Sequence, residues 1–160
     1  MTEFYKVCPL LDANLYVMPK PGKGGAPVAE DIAALKAEGI HTVVSLLEAD
    51  ELIAEGLEHE AQLCEESNLQ YLNFPIEDHQ VPDDRDAAMA FIHSLKDELN
   101  QGKNIAIHCR GGVGRTGTLA AALMFACDLQ PEDIFERLHK ARGKPMPTTD
   151  AQRAWVLGES

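Results

Sequence analysis

The chain has 160 residues (17.5 kDa), 45% of them hydrophobic and 25% charged, which fits one globular domain and excludes a disordered, collagenous or coiled-coil chain. No apolar run approaches the roughly 20 residues of a membrane span, and the N-terminal Met-Thr-Glu-Phe-Tyr-Lys has no basic region leading into an apolar stretch, so no secretory signal is expected. Lys and Arg total 14 against 26 Asp and Glu, a formal net charge of -12, which argues against a nucleic acid or an anionic membrane as partner.

In chain order, residues 14–18 predict a short strand. The stretch 19–27 predicts a loop, because its prolines and glycines interrupt both regular periods. Its Gly-Lys-Gly-Gly run lacks the Gly-Lys-Ser/Thr ending of a nucleotide-binding loop. Val28, Ile32, Ala33 and Leu35 predict a helix over 28–38, stopped by Gly39. The β-branched run 41–47 predicts a buried strand, 49–67 a helix broken near Gly56, and 69–74 a strand ended by Pro75. Residues 83–100 place Ala87, Phe91, Ile92, Leu95 and Leu99 along one side of a long helix. Residues 104–108 predict the most buried strand, and 116–127 a nearly all-apolar core helix. Residues 131–142, opened by Pro131, and 148–157 predict closing helices. This alternation predicts an α/β fold over 1–160, a single domain with a mostly parallel central sheet flanked by helices. Such sheets bind ligands beyond the carboxyl ends of their strands.

At the end of the 104–108 strand stands His108-Cys109-Arg110-Gly111-Gly112-Val113-Gly114-Arg115-Thr116-Gly117. Its glycines let the backbone curl into a nest of inward N–H groups. The following helix adds its N-terminal dipole, so Arg110 to Gly114 form a candidate phosphate cradle. Arg115 offers a planar fork for two phosphate oxygens. This surrounding positive potential favours the thiolate of Cys109, a nucleophile facing bound phosphorus. Thr116 can donate its hydroxyl to the sulfur, and His108 is expected to brace the loop backbone. The fixed residues of this pattern should arise by chance in roughly one chain in a million. The other cysteines, Cys8, Cys64 and Cys127, form no C-x-x-C pair and read as small buried apolar residues in a reducing, cytoplasmic compartment.

The segment resembles the Cys-x5-Arg signature of the protein tyrosine phosphatase superfamily. The chain's size is similar to that of the small dual-specificity phosphatases. The stretch from Phe74-Pro75-Ile76-Glu77-Asp78-His79 to Asp83 resembles the family's general-acid loop, and the segment from Ala141-Arg142-Gly143 to Gln152-Arg153-Ala154-Trp155 its closing helix. The match to the kinase-associated (cyclin-dependent kinase inhibitor-type) phosphatase branch covers most of residues 10–157. The resemblance implies a cysteine phosphatase fold and hydrolysis of phosphotyrosine, with phosphoserine and phosphothreonine, in phosphoproteins or phosphopeptides through a phosphocysteine.

Residue types alone leave the general acid open among Glu77, Asp78, Asp83, Asp84 and Asp86. The resemblance selects Asp78, and Asp83 and Asp84 also suit a helix cap. Gln152 is expected either to place the hydrolytic water, as the resemblance implies, or to be a polar surface residue. Arg142 would brace the phosphate loop or cap its own helix. His41, His59, His79, His93 and His139 have no metal-ligand spacing, so neither metal nor cofactor is expected. The loop lacks lysine, which disfavours phosphoinositides. A monomer is expected. The competing readings are a rhodanese-like sulfurtransferase, an arsenate reductase or a non-catalytic phosphate-binding module.

Overall fold

The computed structural model describes residues 2–159; Met1 and Ser160 lie outside the described residues. Five strands form one sheet: β1 (Tyr5–Leu10), β2 (Ala13–Met18), β3 (Ile40–Ser45), β4 (Gln70–Asn73) and β5 (Asn104–His108), in the order β1-β2-β5-β3-β4. The pair β1–β2 is antiparallel, and β2–β5, β5–β3 and β3–β4 are parallel. Seven α-helices among the described residues join them: α1 (Val28–Glu38), α2 (Ala49–Ala54), α3 (Glu60–Glu66), α4 (Arg85–Asn100), α5 (Gly114–Ala126), α6 (Pro131–Arg142) and α7 (Asp150–Val156).

The two-residue period of the strands divides the core between the faces. Leu15, Val17, Val44, Ile105 and Ile107 pack with Ile92, Leu95 and Leu99 of α4 and with Leu119 and Leu123 of α5. Tyr16, Met18, Val43 and Ala106 turn the other way, onto Ile32 and Leu35 of α1 and Cys64 of α3. Helix α5 is buried from Arg115 to Met124 because α4, α6 and α7 all contact it.

One strand and several boundaries depart from the expected ones, and three of these have local reasons. Strand β1 has no counterpart in the expected elements. It is an edge strand whose Pro9 leaves a ladder position without a donor, and Lys6 and Pro9 face solvent, so the apolar signal is diluted. Strand β3 stops at Ser45; Leu46 and Leu47 are equally buried but lie in the turn to α2. Helix α5 starts at Gly114 rather than Thr116, which puts Arg115 and Thr116 in its first turn.

The parallel register brings the strand ends together. His108 pairs with Met18 of β2 and with Ser45 of β3. The chain leaving β5 therefore emerges between the segments leaving β2 and β3. The β2 exit donates from Lys20 N to the Arg110 carbonyl at 3.0 Å.

Candidate active site

The loop after β5 turns tightly at Gly112, where φ is +75°. A Cβ there would stand 2.5 Å from the Met18 carbonyl carbon and oxygen and from Pro19 N, so glycine is required by conformation and by contact alike. Gly112 thus presses the loop onto the end of β2. Its neighbours Gly111, Val113 and Gly114, with Cys109, Arg110, Arg115, Asp78, His79 and Thr148, line a cavity of about 180 Å³. A larger cavity, of about 510 Å³ between β1 and α6, is lined by Lys6, Arg137, Lys140, Asp133 and Glu136, with no cysteine, serine or threonine in its lining.

Arg115 is 2% exposed, in the first turn of α5. Its Nη1 donates to Glu51 Oε1 at 2.7 Å and to the Ile76 carbonyl at 2.9 Å, and its Nη2 to Glu51 Oε2 at 3.0 Å. Glu51 stands in the first turn of α2, where its side chain also accepts from Glu48 N in a capping box. Burial alone would raise the Glu51 carboxyl, but the hydrogen bonds from Arg115 and Glu48 outweigh it and hold the group below its ordinary value. Burial alone would likewise lower Arg115, but Glu51, Cys109 and Asp78 outweigh it and hold the guanidinium above its ordinary value. Sequence reasoning missed Glu51. Its capping pattern after a buried strand was visible, but its partner lies 64 positions away.

Asp78 reaches over the same cavity. Its Oδ2 accepts from Arg110 Nη2 at 2.5 Å, and its Oδ1 lies 3.2 Å from Arg115 Nη2. Arg110, expected in the phosphate cradle, lines the cavity, and its side chain reaches Asp78. The alternative acid Asp84 is the N-cap of α4, accepting from Ala87 N at 3.1 Å.

Behind Cys109, His108 is fully buried. Its Nδ1 lies 3.1 Å from the Cys109 carbonyl and its Nε2 2.6 Å from Glu60 Oε2. Burial opposes the imidazolium, but the charge and hydrogen bond of Glu60 and the bond to the Cys109 carbonyl outweigh it and raise the His108 pKa. Glu60 carried no sequence signal; its α3 position reads as any helical glutamate. Thr116 is fully buried with its hydroxyl unpartnered among the described residues, so the donation to the Cys109 sulfur is not formed here.

Gln152 is 1% exposed, which corrects its reading as a surface residue. It is the third residue of the capping box that opens α7, and its Oε1 accepts from Thr148 N and Thr149 N at 3.1 Å each. Its Nε2 donates to the Gln80 carbonyl at 3.3 Å, tying the closing helix to the acid loop. Arg142 donates from Nη2 to the Gly111 carbonyl at 3.1 Å and stacks over Tyr5 at 4.7 Å, bracing the loop from outside.

The four cysteines are free. Burial pushes the Cys64 thiol up to about 12 and raises those of Cys8 and Cys127 as well, so these three are poor nucleophiles at neutral pH.

Comparison with known proteins agrees with this geometry. Residues 17–128 match the family described as "Polymorphic toxin system, DSP-PTPase phosphatase". The putative tyrosine phosphatase 067L of Invertebrate iridescent virus 3 is 28% identical over 151 residues, covering 91% of this chain and 60% of the viral protein. The 197R protein of Invertebrate iridescent virus 6 is 30% identical over 113 residues, 68% of this chain and 40% of that protein. The chain therefore spans about half the length of these curated relatives. The crystal structure of a kinase-associated phosphatase, with its catalytic-site cysteine replaced by serine, superposes with a TM-score of 0.84 at 22% identity, covering 98% of this chain and 91% of that one. The family match spans well over half of the chain, including both Asp78 and the whole Cys109–Arg115 loop, and on that ground the protein belongs to the DSP-PTPase phosphatase family.

Proposed function

We propose that this chain is a cysteine-dependent phosphomonoester hydrolase acting on phosphotyrosine, and on phosphoserine and phosphothreonine, in proteins. The observation that carries it is the meeting of Cys109, Arg115 and Asp78 around one cavity of about 180 Å³. The Cys109 thiolate attacks phosphorus in line. The P–O bond to the leaving group breaks as Asp78 gives that oxygen its proton, and a P–S bond forms. The loop amides and Arg115 hold the equatorial oxygens. Asp78, now a carboxylate, takes a proton from water as that water attacks phosphocysteine. Phosphate leaves and the thiolate returns, with the buried Thr116 hydroxyl able to swing onto the sulfur.

Gln152 supports this cycle by holding the acid loop in place. Its Oε1 serves the cap and one Nε2–H the acid loop, which leaves the second Nε2–H as the donor for placing water. The structure of TpbA, a Pseudomonas aeruginosa protein that superposes with a TM-score of 0.60 at 20% identity, was solved with phosphotyrosine. The net charge of -12 and the lysine-free loop favour phosphoprotein over anionic lipid. Four free cysteines suit a reducing compartment, the cytoplasm.

The test is hydrolysis of 4-nitrophenyl phosphate by the reduced protein and its Cys109→Ser variant. Turnover lost in the variant supports the reading. An inert wild type that transfers sulfur from thiosulfate to cyanide, or reduces arsenate, would replace it.

A further inference from the structure

Arg115 has four terminal guanidinium hydrogens, and four acceptors face them. Nη1 meets Glu51 Oε1 and the Ile76 carbonyl, and Nη2 meets Glu51 Oε2 and Asp78 Oδ1. A phosphate gripped by the fork through Nε and Nη2 must therefore displace one of these partners. Glu51 is held in its capping box and bound at both oxygens, and the Ile76 carbonyl belongs to the backbone. Asp78 Oδ1, at 3.2 Å and its carboxylate's single contact with Arg115, is the contact that yields.

Once it yields, Arg115 still holds the backbone of the acid loop at the Ile76 carbonyl, but the Asp78 carboxylate has lost its tie to that guanidinium. The phosphate-loop side chain that still holds the carboxylate is Arg110. Its Nη2 donates to the other carboxylate oxygen, Oδ2, at 2.5 Å, and both residues line the cavity over the loop. His79 Nε2 lies 3.5 Å from the same oxygen, but its side chain is 74% exposed and it belongs to the acid loop itself, so it cannot anchor that loop to the nest.

We propose that Arg110 is a positioning residue for the general acid, holding Asp78 over the nest while incoming phosphate takes its place on Arg115. This deepens the phosphatase reading and rests on it. A side chain that acts through the acid has a particular signature. Its removal should matter most where the leaving group needs a proton, and little where the leaving group departs as a stable anion.

The experiment compares kcat for 4-nitrophenyl phosphate, whose leaving group is good, with phenyl phosphate, whose leaving group is poor, in wild type, Arg110→Ala and Arg110→Lys. Competitive inhibition by inorganic phosphate is measured alongside. The expected result is a loss in Arg110→Ala at least about tenfold larger on phenyl phosphate than on 4-nitrophenyl phosphate. Arg110→Lys, which keeps the charge and loses the fork, should fall between. Equal losses on both substrates would overturn the proposal. So would a weakened inorganic phosphate inhibition matching the loss, which would make Arg110 a phosphate ligand instead. A wild type that hydrolyses neither ester would remove the phosphatase reading itself, an outcome distinct from equal losses in an active enzyme.

Discussion

His108 Nε2 lies 2.6 Å from Glu60 Oε2, and neither side chain exposes any surface. The other ring nitrogen faces the Cys109 carbonyl at 3.1 Å, so the orientation of the residue before the nucleophile is fixed from α3. A carboxylate buried this deeply is costly unless paired, and removing one partner of such a pair leaves the other unmatched. Glu60→Ala is expected to cost about 3 kcal/mol or more of stability, read by denaturant unfolding. Glu60→Gln keeps a neutral hydrogen-bonding partner and should cost less. In that variant the His108 ring, followed by NMR, should titrate at lower pH than in wild type.

The same pair sets a pH dependence of stability. His108 binds its proton more tightly when folded than at its ordinary value of 6.5. Its contribution is complete below that ordinary value and is lost as pH rises through the higher folded-state value. Thermal melts across the neutral-to-alkaline range should show this loss in wild type and a flatter profile in Glu60→Gln. Equal profiles would contradict the charged pair.

Glu51 works in the opposite direction. Its carboxyl is held below the ordinary 4.5 mainly against burial, by hydrogen bonds from Arg115 and Glu48. Its stabilisation is present above 4.5 and is lost as pH falls through the lower folded-state value. Glu51→Ala frees the Arg115 fork from its bidentate partner. Misplacing that fork by about 1 Å is expected to cost on the order of 100-fold in kcat/KM on an aryl phosphate. A variant with wild-type kcat/KM would show that Arg115 orients itself without Glu51.

Gly112 separates folding from chemistry. In Gly112→Ala the new Cβ would stand 2.5 Å from the Met18–Pro19 backbone, at a φ of +75°. The phosphate loop must then lift from the end of β2. Protection of phosphate-bound protein against thermal unfolding should disappear. Retained protection by phosphate would contradict the geometry of the nest.

How much of this was legible in the sequence follows from chain distance. Cys109 to Arg115 is one contiguous turn between a strand and a helix, so residue type and spacing were enough to assemble it. Asp78 needed the resemblance, because five carboxylates lie close together along the loop and the helix start; a cap at Asp83 or Asp84 was legible, and the fold settles it on Asp84 and brings Asp78 to Arg110. Glu51 and Glu60 were invisible. Each lies on a short helix and finds its partner 64 or 48 positions away, through strand register that no local pattern encodes. Gln152 was half-visible: the Thr149-x-x-Gln152 capping box is local, but the contact to the Gln80 carbonyl spans 72 positions.

In the proposed cycle, Arg115 and the loop amides stabilise the charge without a metal. Hydrolysis of 4-nitrophenyl phosphate should therefore be unchanged by EDTA. Loss of activity on chelation, restored by a divalent ion, would contradict this.

The central claim is the covalent step at Cys109. In Asp78→Asn, an aryl phosphate with a good leaving group still phosphorylates the thiolate, but the second step lacks its base, so the intermediate should accumulate. Rapid acid quench followed by peptide mass analysis of that variant should find one phosphoryl group on the peptide carrying Cys109, and none in the double variant with Cys109→Ser. An active wild type whose Asp78→Asn variant carries no phosphoryl group on Cys109 would contradict the covalent step.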